Sequence, residues 1–438
     1  MSLLQAKLLA AIIAVGVSHS PKEESRFNVG WESFLEDEPS EFHNLVLNWE
    51  TDAPIPDYVV GSYIKNGPSQ KRFGAENRWY NSYMDSWAKL NKITFSPGGE
   101  VLFSGRMIES RNFVRCRDAD KISPSVTMSG VAPEDFSMEE MVEGGLHGFD
   151  NTNVLLWRLG SETNATYIAS TDYPLVNIID PETLGVLGQR IHPVREGITV
   201  TSSSHWIKEV GTDNSLNFGI MMNPLTLAQD FVLHRYGASM EDHQEVGRFP
   251  AEWLSMIHMI STTEKYAVII YYPVKMNMIS APSKFNNFIK SDHSSFTNIL
   301  VHHMHILETL ERVDSPTKIY LIDLRDGTVL DGFETADESL VYGTHIMNSW
   351  EEGEDEVVLD VATNPWTALS DFFTLEKMVN HPSTDREDAD SIMKRVRLNL
   401  KTRQTYVEEW PSLPGSPLWT NTVDFPVINP SMYGYKNR

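Results

Sequence analysis

The sequence contains a single cysteine, Cys116, among 438 residues. One thiol excludes an internal disulfide framework, and it excludes every zinc or iron–sulfur site that is built from several cysteines. Any metal that this chain binds must therefore be held by histidine, aspartate or glutamate side chains.

Positive charge is also scarce. The chain has 36 Lys and Arg residues against 60 Asp and Glu residues, which gives a formal net charge of -24. Non-specific affinity for nucleic acid comes from neutralising phosphates, so this balance disfavours a nucleic-acid partner. It also argues against docking on anionic lipid by charge alone.

Long apolar runs are absent, and no segment is long enough to cross a bilayer. The run Leu8–Val17 follows Lys7 and precedes small residues, a pattern typical of a secretory signal in residues 1–20. An N-terminal helix that docks on the body explains the same run, and both interpretations stay open. The sequon Asn164-Ala165-Thr166 is compatible with export.

What the sequence does have is a rhythm of short strands and turns. A hydrophobic content of 41% allows a large core, either in two or three domains or in one extended all-β architecture. Ile93–Phe95 and Val101–Phe103 flank a Pro-Gly-Gly turn, and Asp326-Gly327 predicts a two-residue primed turn between Lys318–Leu324 and Thr328–Gly332. The rhythm indicates an antiparallel propeller or sandwich. Further predicted strands are Tyr167–Ser170, Gly185–Gln189, Tyr266–Tyr272, Glu356–Val361, Arg395–Leu400 and Thr405–Glu409.

One stretch breaks this rhythm. Lys284–Leu310 has few turn residues and carries apolar residues at helical spacings, so we predict a helical insertion over one face of the sheets. Such an insertion could act as a lid or as an apolar membrane-facing patch, or it could simply pack on the body. His302, His303 and His305 fall in it, and we interpret them as surface or lid residues.

Three other histidines are better candidates for a metal site. His205, His258 and His345 each lie at or inside a strand-like apolar stretch. A histidine in a strand is usually an ordinary core or rim residue. Imidazoles from separate strands that meet at one point, however, form a site for a divalent transition metal such as Fe(II). Their wide separation along the chain excludes a zinc motif carried on one helix.

Several blocks, in order, carry a resemblance to a known family. Ser204-His205, His258 ahead of Pro273, and His345-Ile346-Met347-Asn348 followed by Trp350-Glu351 match three successive histidine blocks. The sequence therefore resembles the carotenoid cleavage oxygenase family from about residue 30 to the end, nearest to its animal β-carotene oxygenases and retinoid isomerohydrolases. The other matching blocks are Lys65-Asn66-Gly67-Pro68, Tyr83–Leu90, Ser110–Arg115 and Val423–Asn429.

The resemblance implies one domain, residues 30–438, folded as an all-β seven-bladed β-propeller with iron on its axis beneath an apolar tunnel. The family binds Fe(II) with four histidines, of which His205, His258 and His345 match three. By the order of the blocks the chain stops before the fourth, so we expect an incomplete last blade. Asp172 and Asp424 stand where the family has glutamates that orient the ligands, and the shorter side chains could leave a water between carboxylate and imidazole.

The function implied is that of an Fe(II)-dependent dioxygenase that uses O2 to cleave a carotenoid or apocarotenoid double bond into two carbonyl products. No acid, base or nucleophile from the protein is required. A catalytically inactive propeller that binds a carotenoid or retinoid is the alternative. Retinoid isomerohydrolysis and a three-histidine zinc hydrolase are further options. The resemblance also implies a cytoplasmic protein with peripheral membrane association, whereas a true N-terminal signal would mean secretion.

Overall fold

The computed structural model describes most of the chain. The described residues are 36–48, 54–73, 78–123, 128, 130–132, 136–137, 139–140, 149–191, 198–223, 225–277, 306–366, 375, 391–410 and 427–436. The predictions for residues 1–20 and for Asp424 lie outside them, as does the predicted helical insertion up to residue 305. No helix in this part of the chain is long and apolar enough to cross a membrane.

Strands make up nearly all of the regular structure in the described residues. The first strands in chain order are β1 Phe42–Leu47, β2 Gly61–Gln70, β3 Trp79–Tyr80, β4 Trp87–Phe95, β5 Val101–Met107, β6 Val131–Ala132, β7 Leu155–Gly160, β8 Ala165–Ser170, β9 Leu175–Ile179, β10 Val186–Ile191, β11 Ile198–Ser202 and β12 Ile207–Lys208. They are followed by β13 Ser215–Met222, β14 Gln229–Tyr236, β15 His243–Ala251, β16 Ser261–Thr262, β17 Tyr266–Tyr271, β18 Val274–Met276, β19 Leu310–Arg312, β20 Thr317–Asp323, β21 Val329–Thr335, β22 Gly343–Glu352, β23 Glu356–Thr363, β24 Ile392–Asn399 and β25 Thr405–Glu409.

The strands form five larger antiparallel sheets in the described part of the chain, which we call blades 1 to 5. Their strand orders are β1-β5-β4-β2, β10-β9-β8-β7, β11-β13-β14-β15 with β12 paired to β13, β16-β17-β20-β21, and β22-β23-β24-β25. Two short ladders, β3-β6 and β18-β19, lie outside the blades.

One edge strand of each blade faces its neighbours at a common centre. β2 of blade 1 contacts β7 of blade 2, while β16 of blade 4 contacts both β12 of blade 3 and β22 of blade 5. In blade 3 the interior strand β13 is almost wholly buried, whereas most of the outer strand β15 is exposed or half-buried. The predicted all-β propeller is therefore confirmed, with five of its blades in the described residues.

The blades hold together through apolar layers between them. The sequence of β17 is an unbroken apolar run because its side chains alternate between two such layers. Ala267, Ile269 and Tyr271 pack with blade 3, and Val268 and Ile270 pack with blade 5. A strand covered on both faces has no polar side. The lack of polar alternation distinguishes such a blade strand from a half-exposed strand on the surface of a sandwich.

One hairpin in each of blades 2 to 5 has the same type of loop. In blade 4 the peptide N–H of Asp323 donates to Thr328 O at 2.9 Å, and Gly327 N donates to Asp323 O at 2.9 Å. Only Gly327 in this loop has positive φ, 77°, and Asp323 Oδ1 accepts from Arg325 N at 2.9 Å. The predicted two-residue turn is therefore wrong, because the aspartate side chain before it caps a four-residue loop.

The same loop recurs three times with a residue other than glycine in the left-handed position. Leu184, Leu227 and Arg403 have φ of 58°, 59° and 61°, and each donates its N–H to the carbonyl of the loop's first residue. The first residues are Asp180, Asn223 and Asn399. The loop at Asp180 joins β9 to β10, so strand β9, which the sequence analysis missed, lies between the two predicted strands there.

One α-helix, α1 at Arg111–Ala119, lies wholly within the described residues. Ser110 caps its N-terminus by accepting from Phe113 N at 3.3 Å, and Asp120 ends it in the left-handed conformation with φ 52°. Short 3-10 turns complete the structure at Tyr83–Asp85, Ile306–Thr309, Glu338–Leu340 and Pro430–Met432.

Gly327 offers a test of the contact between blades 3 and 4. A Cβ at Gly327 would lie 2.1 Å from Val246 O, whereas one at Gly353, which also has positive φ, would meet nothing within 4 Å. We expect Gly353→Ala to lower the free energy of unfolding by about 1 kcal/mol through backbone strain alone. Gly327→Ala should lower it by about 2–4 kcal/mol, because blade 3 must also move. Urea unfolding of both variants measures the difference, and equal losses would refute the close contact.

Candidate metal centre

Three inner segments of adjacent blades deliver one histidine each to the centre. His205 lies in the break between β11 and β12, His258 lies just before β16, and His345 is the third residue of β22. His205 also forms a parallel bridge with Met259, the residue after His258. The inner ends of blades 3, 4 and 5 therefore bring together the three histidines that the sequence analysis selected.

Their Nε2 atoms converge. The distance from His205 Nε2 to His258 Nε2 is 2.9 Å, and that from His345 Nε2 to His205 Nε2 is 3.2 Å. The three candidate ligand atoms all lie within 4.8 Å of one another. The rings stand edge to face, with interplanar angles of 75°, 90° and 73°.

Two of the three nitrogen–nitrogen distances fit a shared metal ion. A metal–imidazole bond of about 2.0–2.1 Å places two ligand nitrogens about 2.9–3.4 Å apart at octahedral or tetrahedral angles. The His205–His258 and His205–His345 separations fall in that range. Three neutral nitrogen donors without an anionic ligand suit Fe(II), Zn(II) or a similar borderline ion, and leave positions for other ligands.

The electrostatics of His205 favour the neutral ring that a metal requires. Burial lowers the pKa of His205 well below its usual value, and the adjacent rings of His258 and His345 lower this pKa further. Asp172 opposes the shift but does not reverse it. A neutral imidazole keeps a nitrogen lone pair at neutral pH, so protons compete weakly with a metal at this position.

His258 is oriented by Asp172, which lies in the bend between β8 and β9 of blade 2. The distance from His258 Nδ1 to Asp172 Oδ2 is 2.7 Å. A proton on Nδ1 would donate to this carboxylate and leave the Nε2 lone pair facing the other two histidines. The contact is direct, so the water that the short aspartate side chain suggested is not needed.

The Asp172 carboxylate is itself held in its ionised form. Burial alone would raise its pKa, but the electrostatic attraction and hydrogen bond of the His258 ring and the hydrogen bond from Ser204 N outweigh burial, so the pKa of Asp172 is lowered. Its Oδ1 accepts from Ser204 N at 2.8 Å. One carboxylate therefore contacts the ring of His258 and the backbone beside His205.

The sequence analysis missed two buried residues next to the histidines, Ser203 and Asn217. Ser203 Oγ lies 2.6 Å from His258 O, and Asn217 Nδ2 donates to Ser203 O at 2.9 Å. A signal was present in the unusual run Thr201-Ser202-Ser203-Ser204 directly ahead of His205. Most buried hydroxyl side chains have hydrogen-bond partners, so such a run beside a candidate ligand indicates that at least one of them forms a hydrogen-bonded support.

Comparison with known proteins identifies the fold and its relatives. The family model of the retinal pigment epithelial membrane protein, RPE65, matches residues 40–438. The chain is 24% identical over 348 residues to a carotenoid isomerooxygenase of Galleria mellonella, an alignment covering 77% of this chain and 62% of that protein. It is 22% identical over 366 residues to the β,β-carotene 15,15'-dioxygenase of Gallus gallus, covering 77% of this chain and 63% of the relative. The chain thus spans less than two thirds of the length of either relative.

Solved structures share the same architecture. Cobalt-substituted Synechocystis apocarotenoid oxygenase superposes with a TM-score of 0.68 at 15% identity, covering 92% of this chain and 75% of that one. A chimera of this oxygenase with RPE65 gives a TM-score of 0.69 at 15% identity, with the same coverage. On the match of the family model across 40–438, this chain belongs to the RPE65 and carotenoid cleavage oxygenase family.

Proposed function

We propose that this protein is a non-haem Fe(II)-dependent oxygenase that cleaves a double bond of a carotenoid or apocarotenoid with O2. The observation that carries the proposal is the convergence of His205, His258 and His345 at one point, with all candidate ligand nitrogens within 4.8 Å. The substrate class is supported by the Galleria mellonella carotenoid isomerooxygenase and the Gallus gallus β,β-carotene 15,15'-dioxygenase, whose names specify carotenoids.

The protein's part in such a reaction is to hold and insulate the centre. Bound Fe(II) would supply the electrons and open coordination positions that bring O2 to reaction. His205, His258 and His345 would hold the ion through Nε2. Asp172 fixes the ring of His258 through Nδ1, and burial of His345, which is 5% exposed, keeps bulk water from that ligand.

The proposed cleavage requires no acid or base from the protein. Cleavage breaks one carbon–carbon double bond, and each carbon receives one atom of O2, so no proton enters or leaves. Asp172 is engaged with the ring of His258 through Nδ1, and the Ser203 hydroxyl contacts the backbone of His205 and His258, so we assign neither group a proton-transfer role. Asp424 remains our candidate for orienting a second ligand.

A second candidate within the family is isomerohydrolysis of a retinyl ester, favoured by the match to the RPE65 family model. Such a reaction splits an ester with water and consumes no O2. A propeller that binds a polyene unchanged is the third outcome. The two reactions and unreactive binding differ in whether O2 enters the product, so an isotope experiment separates them.

Protein loaded anaerobically with Fe(II) and then given β-carotene or an apocarotenoid in detergent micelles under 18O2 should release two carbonyl products. Each should carry one 18O atom before exchange with water, as mass spectrometry after rapid trapping would detect. Pigment recovered intact would support the binding protein, and a retinyl ester converted to alcohol without O2 uptake would support isomerohydrolysis.

The ligand role of His345 predicts a loss of metal. His345→Ala should retain far less Fe(II) than wild type after desalting, a loss greater than the roughly 10–100-fold that follows removal of a ligand's hydrogen-bond partner. His43→Ala provides a control, because His43 lies exposed in the outer strand of blade 1. Elemental analysis measures bound iron per chain, and equal iron in the two variants would exclude His345 as a ligand.

The orienting role of Asp172 predicts a smaller effect. Asp172→Asn preserves the side-chain shape and one acceptor oxygen but removes the negative charge, so metal affinity should fall about 10–100-fold. Asp360→Asn controls for the loss of a buried carboxylate elsewhere, since Asp360 pairs with Arg395 in blade 5 at 2.8 Å and 3.0 Å. Anaerobic titration gives both dissociation constants, and matching values would mean that Asp172 does not support the ligand.

A further inference from the structure

The segment that carries His205 is irregular backbone in the most buried part of the propeller. β11 ends at Ser202 and β12 begins at Ile207, so the residues between them lack the regular ladder of a strand. Ser203 and Ser204 are fully buried. Buried peptide groups outside a ladder must find other partners or cost free energy, usually about 1–3 kcal/mol for each group.

Side chains supply those partners. Asn217, in β13, accepts from Ser203 N at 3.3 Å and donates to Ser203 O at 2.9 Å. Asp172 Oδ1 accepts from Ser204 N at 2.8 Å, and Ser170 Oγ donates to Ser204 O at 2.9 Å. Side chains of blades 2 and 3 thus hold the backbone N–H and C=O groups of Ser203 and Ser204.

Ser203 links two of the histidines. Its hydroxyl oxygen accepts from His205 N at 2.9 Å. Its hydroxyl proton has two acceptors in reach, His258 O at 2.6 Å and His205 O at 3.1 Å, and the shorter contact joins blade 3 to blade 4. One hydroxyl therefore ties the backbone of His205 to the backbone of His258.

Asparagine is suited to its position because an amide offers a donor and an acceptor on adjacent atoms. Asn217 Oδ1 also accepts from Phe218 N at 2.7 Å. Asn217 is completely buried, so replacing its amide leaves a peptide group of Ser203 without a partner. Aspartate at this position would keep the acceptor and would lose the donor to Ser203 O.

We propose that Ser203, held in place by hydrogen bonds with Asn217, is a positioning residue that sets the distance between His205 and His258 in the metal centre. This inference rests on the proposed metal-binding function. Positioning of this kind matters because a binding site tolerates errors of only about 0.5 Å in its ligands. Neither residue contacts the ion; both act through the backbones of the two ligands.

Ser204 provides a matched control one residue away. It is also fully buried, but among the described residues no group is hydrogen-bonded to its Oγ. Ser203→Ala and Ser204→Ala remove the same hydroxyl from neighbouring buried positions. Only the first change breaks the link between His205 and His258.

The test uses Co(II) as the probe, titrated into metal-free wild type, Ser203→Ala and Ser204→Ala, with the dissociation constant and the visible d–d absorption bands recorded. Ser203→Ala should raise the dissociation constant about 10–100-fold and shift the bands, since these report the ligand geometry. Ser204→Ala should match wild type in both. Thermal unfolding of the metal-free proteins separates a general loss of stability from a change in the centre.

Each result has a distinct meaning. If wild type binds Co(II) and the two serine variants give the same affinity and bands, the positioning role is overturned while the metal centre stands. If wild type binds no Co(II), the proposed function fails and the positioning role fails with it. Should Ser203→Ala not fold, Asn217→Asp takes its place, with the same expected direction and the same contradicting result.

Discussion

The structure depends on bringing three imidazole rings from three blades to a single point. His205, His258 and His345 are far apart in the chain, and the candidate ligand nitrogens still lie within 4.8 Å of one another. Uncompensated, this arrangement is unfavourable, because burial and mutual proximity disfavour a proton on His205 and leave its polar nitrogen in a poorly solvated place. A bound cation would reverse that cost, so the same feature that strains the metal-free protein favours a metal.

The propeller supplies the stiffness that such convergence requires. Apolar layers between blades fix the blades relative to one another, and the inner edges place the histidines. The final positions of the histidines are set by polar contacts. Asp172 reaches from blade 2 to the ring of His258 and to the backbone of Ser204, while Ser203 joins His205 to His258. Neighbouring blades are thereby coupled at the centre by directed hydrogen bonds, and at larger radius by non-directional packing.

The sequence revealed the parts whose signals are local or carried by family blocks. Alternating apolar residues and turn residues predict strands such as Thr405–Glu409. The family blocks predict the three histidines. Features that depend on contacts between blades were harder to predict from the sequence. The hairpin at Gly327 was misjudged because Asp323, outside the Asp-Gly pair, determines the loop length. The run Thr201-Ser202-Ser203-Ser204 gave a signal, but the link from Ser203 to blade 4 ends on the backbone oxygen of His258, and a backbone atom leaves no trace in the residue pattern.

The central claim is that three imidazole nitrogens share one ion, and extended X-ray absorption at the metal edge tests it most directly. Protein reconstituted with one equivalent of Co(II) should show nitrogen neighbours at about 2.1 Å, with outer-shell scattering that fits three imidazole rings. A spectrum that fits one ring or none, with oxygen from water completing the sphere, would contradict the account.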